Sequence, residues 1–126
     1  MPITSRIDQT AGVIVCTVKG EPSIEHFGGA VDEYLRHPNF KPGMNALWDL
    51  RTAVLENFSP NKSMSRVAQA FGRIRDERGS GYKLALVATS DLEFGLSRQY
   101  EALMDRLPFT VQVFRDYDEA WRWVAE

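Results

Sequence analysis

The chain contains one cysteine and no long apolar run. Cys16 stands alone among 126 residues, so neither a disulfide nor a cysteine-rich zinc site can form within the chain. No stretch reaches the roughly 20 apolar residues that a membrane-spanning helix needs, and no signal-peptide pattern is present. We therefore expect a cytoplasmic protein with no stable membrane insertion, in which Cys16 is a small buried side chain.

An excess of positive charge is also missing. Lysine and arginine together number 15, against 17 aspartate and glutamate residues, which gives a formal net charge of −2. Such a chain has no overall electrostatic attraction to nucleic acid, so a nucleic-acid partner is not expected. His26 and His37 lie about three turns apart on one predicted helix, which is too far to share a metal ion. No metal or cofactor is predicted.

Two further charged or glycine-rich segments have simple structural explanations. The mixed charges of residues 73–78 are typical of a solvated helix end. The segment Gly79-Ser80-Gly81 lacks the lysine and the following helix of a phosphate-binding loop, so it predicts no nucleotide site.

Hydrophobic periodicity predicts a single α/β domain over residues 1–126, in the order ββαβαβαβα. The short link after Asp8 favours an antiparallel hairpin, and right-handed crossovers place the later strands parallel to the second. The expected fold is a mixed, mostly parallel five-stranded sheet with an N-terminal β-hairpin and four helices. The predicted strands cover residues 3–8, 12–19, 45–51, 83–88 and 110–115. The predicted helices begin near residues 23, 60, 91 and 117. The apolar face of the third one continues to Leu107.

The segment Ala46-Leu47-Trp48-Asp49-Leu50-Arg51-Thr52 is the most informative part of the chain. It brings Asp49 and Arg51 to the end of a buried strand, and both point to the same side because strand side chains alternate. In open α/β sheets, ligands and partners are usually bound at that end of a parallel strand. Two interpretations are open. Arg51 holds an anionic group, or the two residues form an ion pair that organises the loop after Thr52.

Serines near the predicted helix starts form a second group of candidates. Ser59 and Ser63 lie at the beginning of the second helix, and Ser90 precedes the third. A helix N-terminus favours an anion or a phosphoserine, because its backbone N–H groups are free there. Serine is equally a preferred N-cap residue, and capping is the favoured interpretation.

Several local patterns, in this order, resemble those of the SpoIIAA-like family of small bacterial proteins. This family shares its fold with the STAS domains of anti-sigma-factor antagonists. The first pattern is Trp48-Asp49-Leu50-Arg51 on the middle strand. The others are Leu84-Ala85-Leu86-Val87-Ala88, the segment from Phe94 to Tyr100, and the terminal strand and helix over residues 113–124. The resemblance covers essentially the whole chain.

The resemblance implies a four-helix α/β domain with no established enzymatic activity. STAS relatives act in protein–protein regulation, and some are switched by phosphorylation of a serine after the middle strand. The compact Asp-Ser-Ser-Gly-like turn of those relatives is absent here, where residues 52–60 occupy the region. Ser59 and Ser63 are therefore phosphorylation candidates by position only.

A non-catalytic protein-interaction or regulatory module that forms a homodimer is the leading functional prediction. The contact surface would be the loop of residues 52–59, with Thr52, Val54, Leu55 and Phe58, next to Asp49 and Arg51. An equal alternative is that the apolar residues of this loop are folded back as a lid.

Two alternatives remain at this point. The similarity of the SpoIIAA-like fold to lipid-binding Sec14-type domains suggests a binder of a small apolar or amphipathic ligand. Its pocket would be lined by Phe58, Phe71, Phe94 and Tyr100. An enzyme is the other alternative, with Asp49 as acid or base and with Ser90 and Arg51 as an anion clamp.

Overall fold

The structure is a computed structural model that describes residues 2–56, 58 and 60–126. Its elements follow the predicted order ββαβαβαβα. The strands are β1 (Ile3–Asp8), β2 (Val13–Gly20), β3 (Asn45–Ala53), β4 (Lys83–Val87) and β5 (Thr110–Phe114). The helices are α1 (Ile24–Leu35), α2 (Pro60–Arg78), α3 (Asp91–Leu103) and α4 (Tyr117–Ala125).

The third helix is shorter than its apolar stripe predicts. It ends at Leu103, and a single 3₁₀ turn covers Met104–Arg106. Leu107 has ψ 157°, which is extended backbone. The following residue is Pro108, whose ring disfavours helical backbone in the residue before it, so the extension to Leu107 was wrong.

One sheet contains all five strands, in the spatial order β1-β2-β3-β4-β5. β1 pairs with β2 in antiparallel register, from Ile3 opposite Val18 to Asp8 opposite Val13. The remaining neighbours are parallel. The mixed, mostly parallel sheet with an N-terminal hairpin is therefore confirmed. Parallel pairing brings the carboxyl ends of β2, β3, β4 and β5 to one edge of the sheet, which we call the carboxyl edge.

The central strands are buried on both faces. Ala46, Trp48 and Leu50 of β3 belong to the core under α1, α2 and α3, whereas Leu47 belongs to the core under α4. Parallel strands covered by helices on both sides have this continuous apolar character. The helices that follow the parallel strands consequently begin near the carboxyl edge, where each strand ends.

The end of α2 packs closely against the segment that leads into β3. Gly79 has φ +85°, and a Cβ there would lie 2.5 Å from the backbone nitrogen of Gly43. The Gly43 N–H donates to the carbonyl of Arg78 at 2.9 Å. Arg78 itself is 1% exposed, so the predicted solvated end of this helix was wrong for its last residue.

Candidate functional site

The carboxyl end of β3 contains an irregularity that the sequence pattern does not reveal. Asp49 lies opposite Thr17 of β2, but Thr52 lies opposite Lys19, so β3 has one residue more than β2 across this step. Leu50 and Ala53 both reach the same core, a three-residue spacing that strict strand alternation forbids. This is the geometry of a β-bulge, which bends a strand and frees backbone groups from the ladder.

Side chains of Asp49 and Thr52 bond to backbone groups at the bulge. The backbone N–H of Arg51 donates to Oδ1 of Asp49 at 3.1 Å. The hydroxyl of Thr52 donates to the carbonyl oxygen of Val18 at 3.0 Å. Buried backbone groups need such partners, so these two residues stabilise the shape of the strand end.

Asp49 and Arg51 form a bidentate ion pair. Nε and Nη2 of Arg51 donate to the two carboxylate oxygens of Asp49 at 2.9 and 2.8 Å. The guanidinium also lies 4.6 Å from the ring centre of Tyr117, at the start of α4. Burial acts to raise the pKa of Asp49, but the hydrogen bonds from Arg51 outweigh it and hold that pKa below its usual value. The ion-pair interpretation of the sequence is therefore the one that the structure shows.

Ser90 is the N-cap of α3, as the favoured interpretation predicted. Its hydroxyl accepts from the N–H of Glu93 at 3.3 Å and bonds to the Glu93 carboxylate. The other oxygen of that carboxylate accepts the backbone N–H of Leu55 at 3.2 Å. Glu93, which the sequence analysis did not single out, therefore ties the segment after β3 to the first turn of α3. These contacts do not join Ser90 to Asp49, as the predicted catalytic arrangement would require. Ser90 bonds to Glu93, and Asp49 bonds to Arg51.

In the segment that follows β3, one side chain faces solvent and the next one faces the core. Leu55 is 4% exposed and belongs to the core, whereas Val54 is 40% exposed. The N–H of Val54 donates to the carbonyl of Gly20 at 2.8 Å, which fixes the segment beside β2. Leu92, next to Glu93, is 50% exposed. Val54 and Leu92, two large exposed apolar residues, are thus the chain neighbours of the two residues that the Leu55–Glu93 hydrogen bond joins.

The aromatic residue Phe58 packs against the core, between rings of α1 and α3. Its ring lies 4.8 Å from that of Phe27 and 5.8 Å from that of Tyr100. The Tyr100 hydroxyl bonds to the hydroxyl of Ser63, and both residues are buried. Burial is also what raises the pKa of Tyr100 above its usual value. Of the two phosphorylation candidates, Ser63 is thus inside the core in this conformation, and Ser59 lies outside the described residues.

The four aromatic residues proposed to line an apolar pocket lie in three places. Phe58 and Tyr100 stack on each other. Phe71 packs against Phe109 at 5.0 Å, and Phe94 lies beneath the guanidinium of Arg115 at 4.2 Å. A binder of apolar ligands stays a prediction, and the pocket that the sequence suggested for it is not assembled from these four rings.

The side chain of His26 takes part in the cap at the start of α1, a role that the sequence reasoning missed. Ser23 is the N-cap of α1, and Nδ1 of His26 accepts the Ser23 N–H at 3.0 Å while the His26 N–H donates to the Ser23 hydroxyl at 3.3 Å. This is a capping box with histidine where glutamate or glutamine is usual.

Within residues 2–56, 58 and 60–126, no three histidine, cysteine or acidic residues are grouped to hold a metal ion. None of the helices described is long and apolar enough to span a membrane.

The architecture is a SpoIIAA-like fold, as the resemblance predicted. It matches the crystal structure of an uncharacterised DUF3478-family protein with a SpoIIAA-like fold from Shewanella loihica PV-4. The TM-score is 0.61 at 15% sequence identity, covering 97% of this chain and 93% of that chain. No protein-family model and no curated protein matches the chain. At this identity the similarity establishes the fold, and function has to be argued from the site.

Proposed function

We propose that the protein is a non-catalytic interaction module that binds a second copy of itself through the carboxyl edge of its sheet. The contact surface consists of Val54 and Leu92, with the exposed Thr52 and Glu56 beside them; we call it the Val54–Leu92 surface. The observation that carries the proposal is the exposure of two large apolar side chains beside one interelement hydrogen bond.

The polar groups at this edge support a structural role over a chemical one. Arg51 is engaged by Asp49 through both carboxylate oxygens, and the Thr52 hydroxyl is committed to the bulge. The Ser90 hydroxyl is committed to the cap of α3. A nucleophile or general base needs a partner arrangement that activates it, and these groups are instead satisfied by backbone and by each other.

The apolar side chains at this edge supply a driving force for association. Burying a valine or leucine side chain stabilises by roughly 1.5–3 kcal/mol when it is fully removed from water. Val54 is 40% exposed and Leu92 50% exposed, so each still has surface to bury in a complex. In a symmetric dimer every such contact is made twice, because each copy contributes the same patch.

Sedimentation velocity of the wild type and two variants over a range of concentrations tests this proposal. The double variant V54Q/L92Q keeps the net charge unchanged and should weaken the dimer at least about tenfold, which corresponds to about 1.4 kcal/mol. Leu103→Gln is the matched control, since Leu103 is 49% exposed and lies at the other end of α3. A wild type that stays monomeric at every concentration would contradict self-association. Equal weakening by the control would contradict the assigned surface.

A further inference from the structure

A buried arginine at the end of α2 has no carboxylate partner among the residues that the structure describes. Nε of Arg78 donates to the hydroxyl of Tyr34 at 3.3 Å, and Nη2 donates to the carbonyl of Met44 at 2.6 Å. Its guanidinium lies 3.7 Å from the ring centre of Tyr82. Nη1 is buried, and within residues 2–56, 58 and 60–126 it has no hydrogen-bond partner and Arg78 takes part in no salt bridge. A cation removed from water without a counterion is unfavourable, which points to an anion that completes this site.

Arg78 lines a cavity of about 230 Å³ at the amino-terminal edge of β4 and β5. Arg75 from α2 and Arg106 from the 3₁₀ turn line the same cavity, and both are exposed. They too are absent from the salt bridges of the described residues. Three arginines and no acidic residue thus contribute to the lining that the structure describes, so the cavity has an excess of positive charge.

Aromatic rings also line this cavity. Phe71, Tyr82 and Phe109 all contribute to its lining. Tyr82 and Phe109 stack with ring centres 4.6 Å apart, and Phe71 packs on Phe109 at 5.0 Å. A mostly apolar concavity with a few convergent polar groups is the usual composition of a small-molecule site.

We propose that this cavity, the Arg78 cavity, binds a small organic anion: a carboxylate or phosphate group on a compact apolar body. Nη1 of Arg78, the guanidinium nitrogen left without a partner, supplies the charged donor for an oxygen of either group, and the rings accept the apolar part. The volume lies below the roughly 300–1,000 Å³ of sites for drug-sized ligands, so the ligand is smaller than a nucleotide. The site lies at the opposite end of the strands from the Val54–Leu92 surface and does not depend on the proposed function.

Isothermal titration with four probes tests the assigned chemistry: phenyl phosphate, benzoate, inorganic phosphate and phenol. Phenyl phosphate or benzoate should bind saturably with a dissociation constant below about 1 mM, more tightly than inorganic phosphate, and phenol should not bind. Binding of phenyl phosphate alone assigns a phosphate ester, and binding of benzoate alone assigns a carboxylate. The Nε–H signal of Arg78 in a ¹H–¹⁵N spectrum should shift during the same titration.

Variants at exposed positions avoid the risk that replacing buried Arg78 prevents folding. R75Q/R106Q should weaken the binding of the preferred probe at least about tenfold, because two of the three arginines of the lining are removed. R73Q/R122Q removes the same number of charges from exposed arginines outside the cavity and should leave binding unchanged. The proposal is overturned by an absence of saturable binding to either organic anion. It is equally overturned by an unmoved Arg78 signal at saturation, or by equal loss of binding in the two double variants.

Discussion

Removing either partner of the Asp49–Arg51 ion pair should destabilise the protein by different amounts. The Asp49 side chain is 12% exposed and that of Arg51 is 44% exposed. In Asp49→Asn, the released Arg51 guanidinium returns largely to water. The stability lost is therefore that of two charge-assisted hydrogen bonds, which solvent already screens in part. We expect a decrease of about 1 kcal/mol in the free energy of unfolding.

Arg51→Met should cost more, because the group left behind is the buried one. The Asp49 carboxylate would keep only the backbone N–H of residue 51 as a donor. A buried carboxylate deprived of its cation is strongly unfavourable, and we expect a decrease of about 2–3 kcal/mol. Urea unfolding of the two single variants and the double variant D49N/R51M gives both costs and the coupling energy between the residues.

The pH dependence gives this prediction a second readout. In the wild type, the lowered pKa of Asp49 contributes stability above about pH 3.9 that is lost as the pH falls through the folded pKa. Without the Arg51 side chain, burial outweighs the remaining hydrogen bond from the backbone N–H of residue 51 and raises the pKa of Asp49 above the unfolded value. The cost of Arg51→Met should therefore shrink between pH 7 and about pH 4. An equal or larger cost for Asp49→Asn, or a cost of Arg51→Met that does not change with pH, would refute the reasoning.

Two further predictions concern the α2 end and the lone cysteine. Gly79→Ala should destabilise by about 2–4 kcal/mol in urea unfolding, because its backbone is left-handed and a Cβ meets the Gly43 nitrogen. Gly28→Ala is the control: Gly28 lies in α1, and apart from its chain neighbours and the backbone of its own helix no described residue comes within 4 Å of a Cβ there, so the change should stabilise by about 0.5–1 kcal/mol. Burial strongly raises the pKa of the Cys16 thiol, so iodoacetamide at pH 8 should label the urea-unfolded protein and spare the native one by mass spectrometry. Equal stability of the two glycine variants would contradict the prediction for Gly79. Fast labelling of Cys16 in the native protein would contradict the prediction for the cysteine.

Periodicity was sufficient to predict the order of elements, because each strand and helix buries an apolar face with its own spacing. The role of Ser90 was predictable for a similar reason, since capping depends on local sequence. The bulge after Asp49 was not predictable. At the bulge, the polar residues Asp49, Arg51 and Thr52 interrupt the apolar run of β3, so no hydrophobic alternation is left that would reveal one extra residue.

Arg78 shows where local sequence is insufficient. It follows Arg75, Asp76 and Glu77, and a charge run of this kind is normally solvated. Its burial depends on Tyr34, Met44 and Tyr82, which are distant in sequence and converge only in the folded chain. The same applies to Glu93, whose bond to Leu55 crosses from one element to another. Such contacts depend on tertiary packing, which no local pattern encodes.

A ¹H–¹⁵N dilution series locates the self-association surface at individual residues. As the protein concentration rises, the amide signals of residues 54–55 and 92–93 should shift together along one binding curve. Signals at the far end of α3, around Leu103, should stay in place. Shifts confined to the exposed edge strands β1 and β5, or no shift at any concentration, would contradict the proposal that the Val54–Leu92 surface joins two copies of the chain.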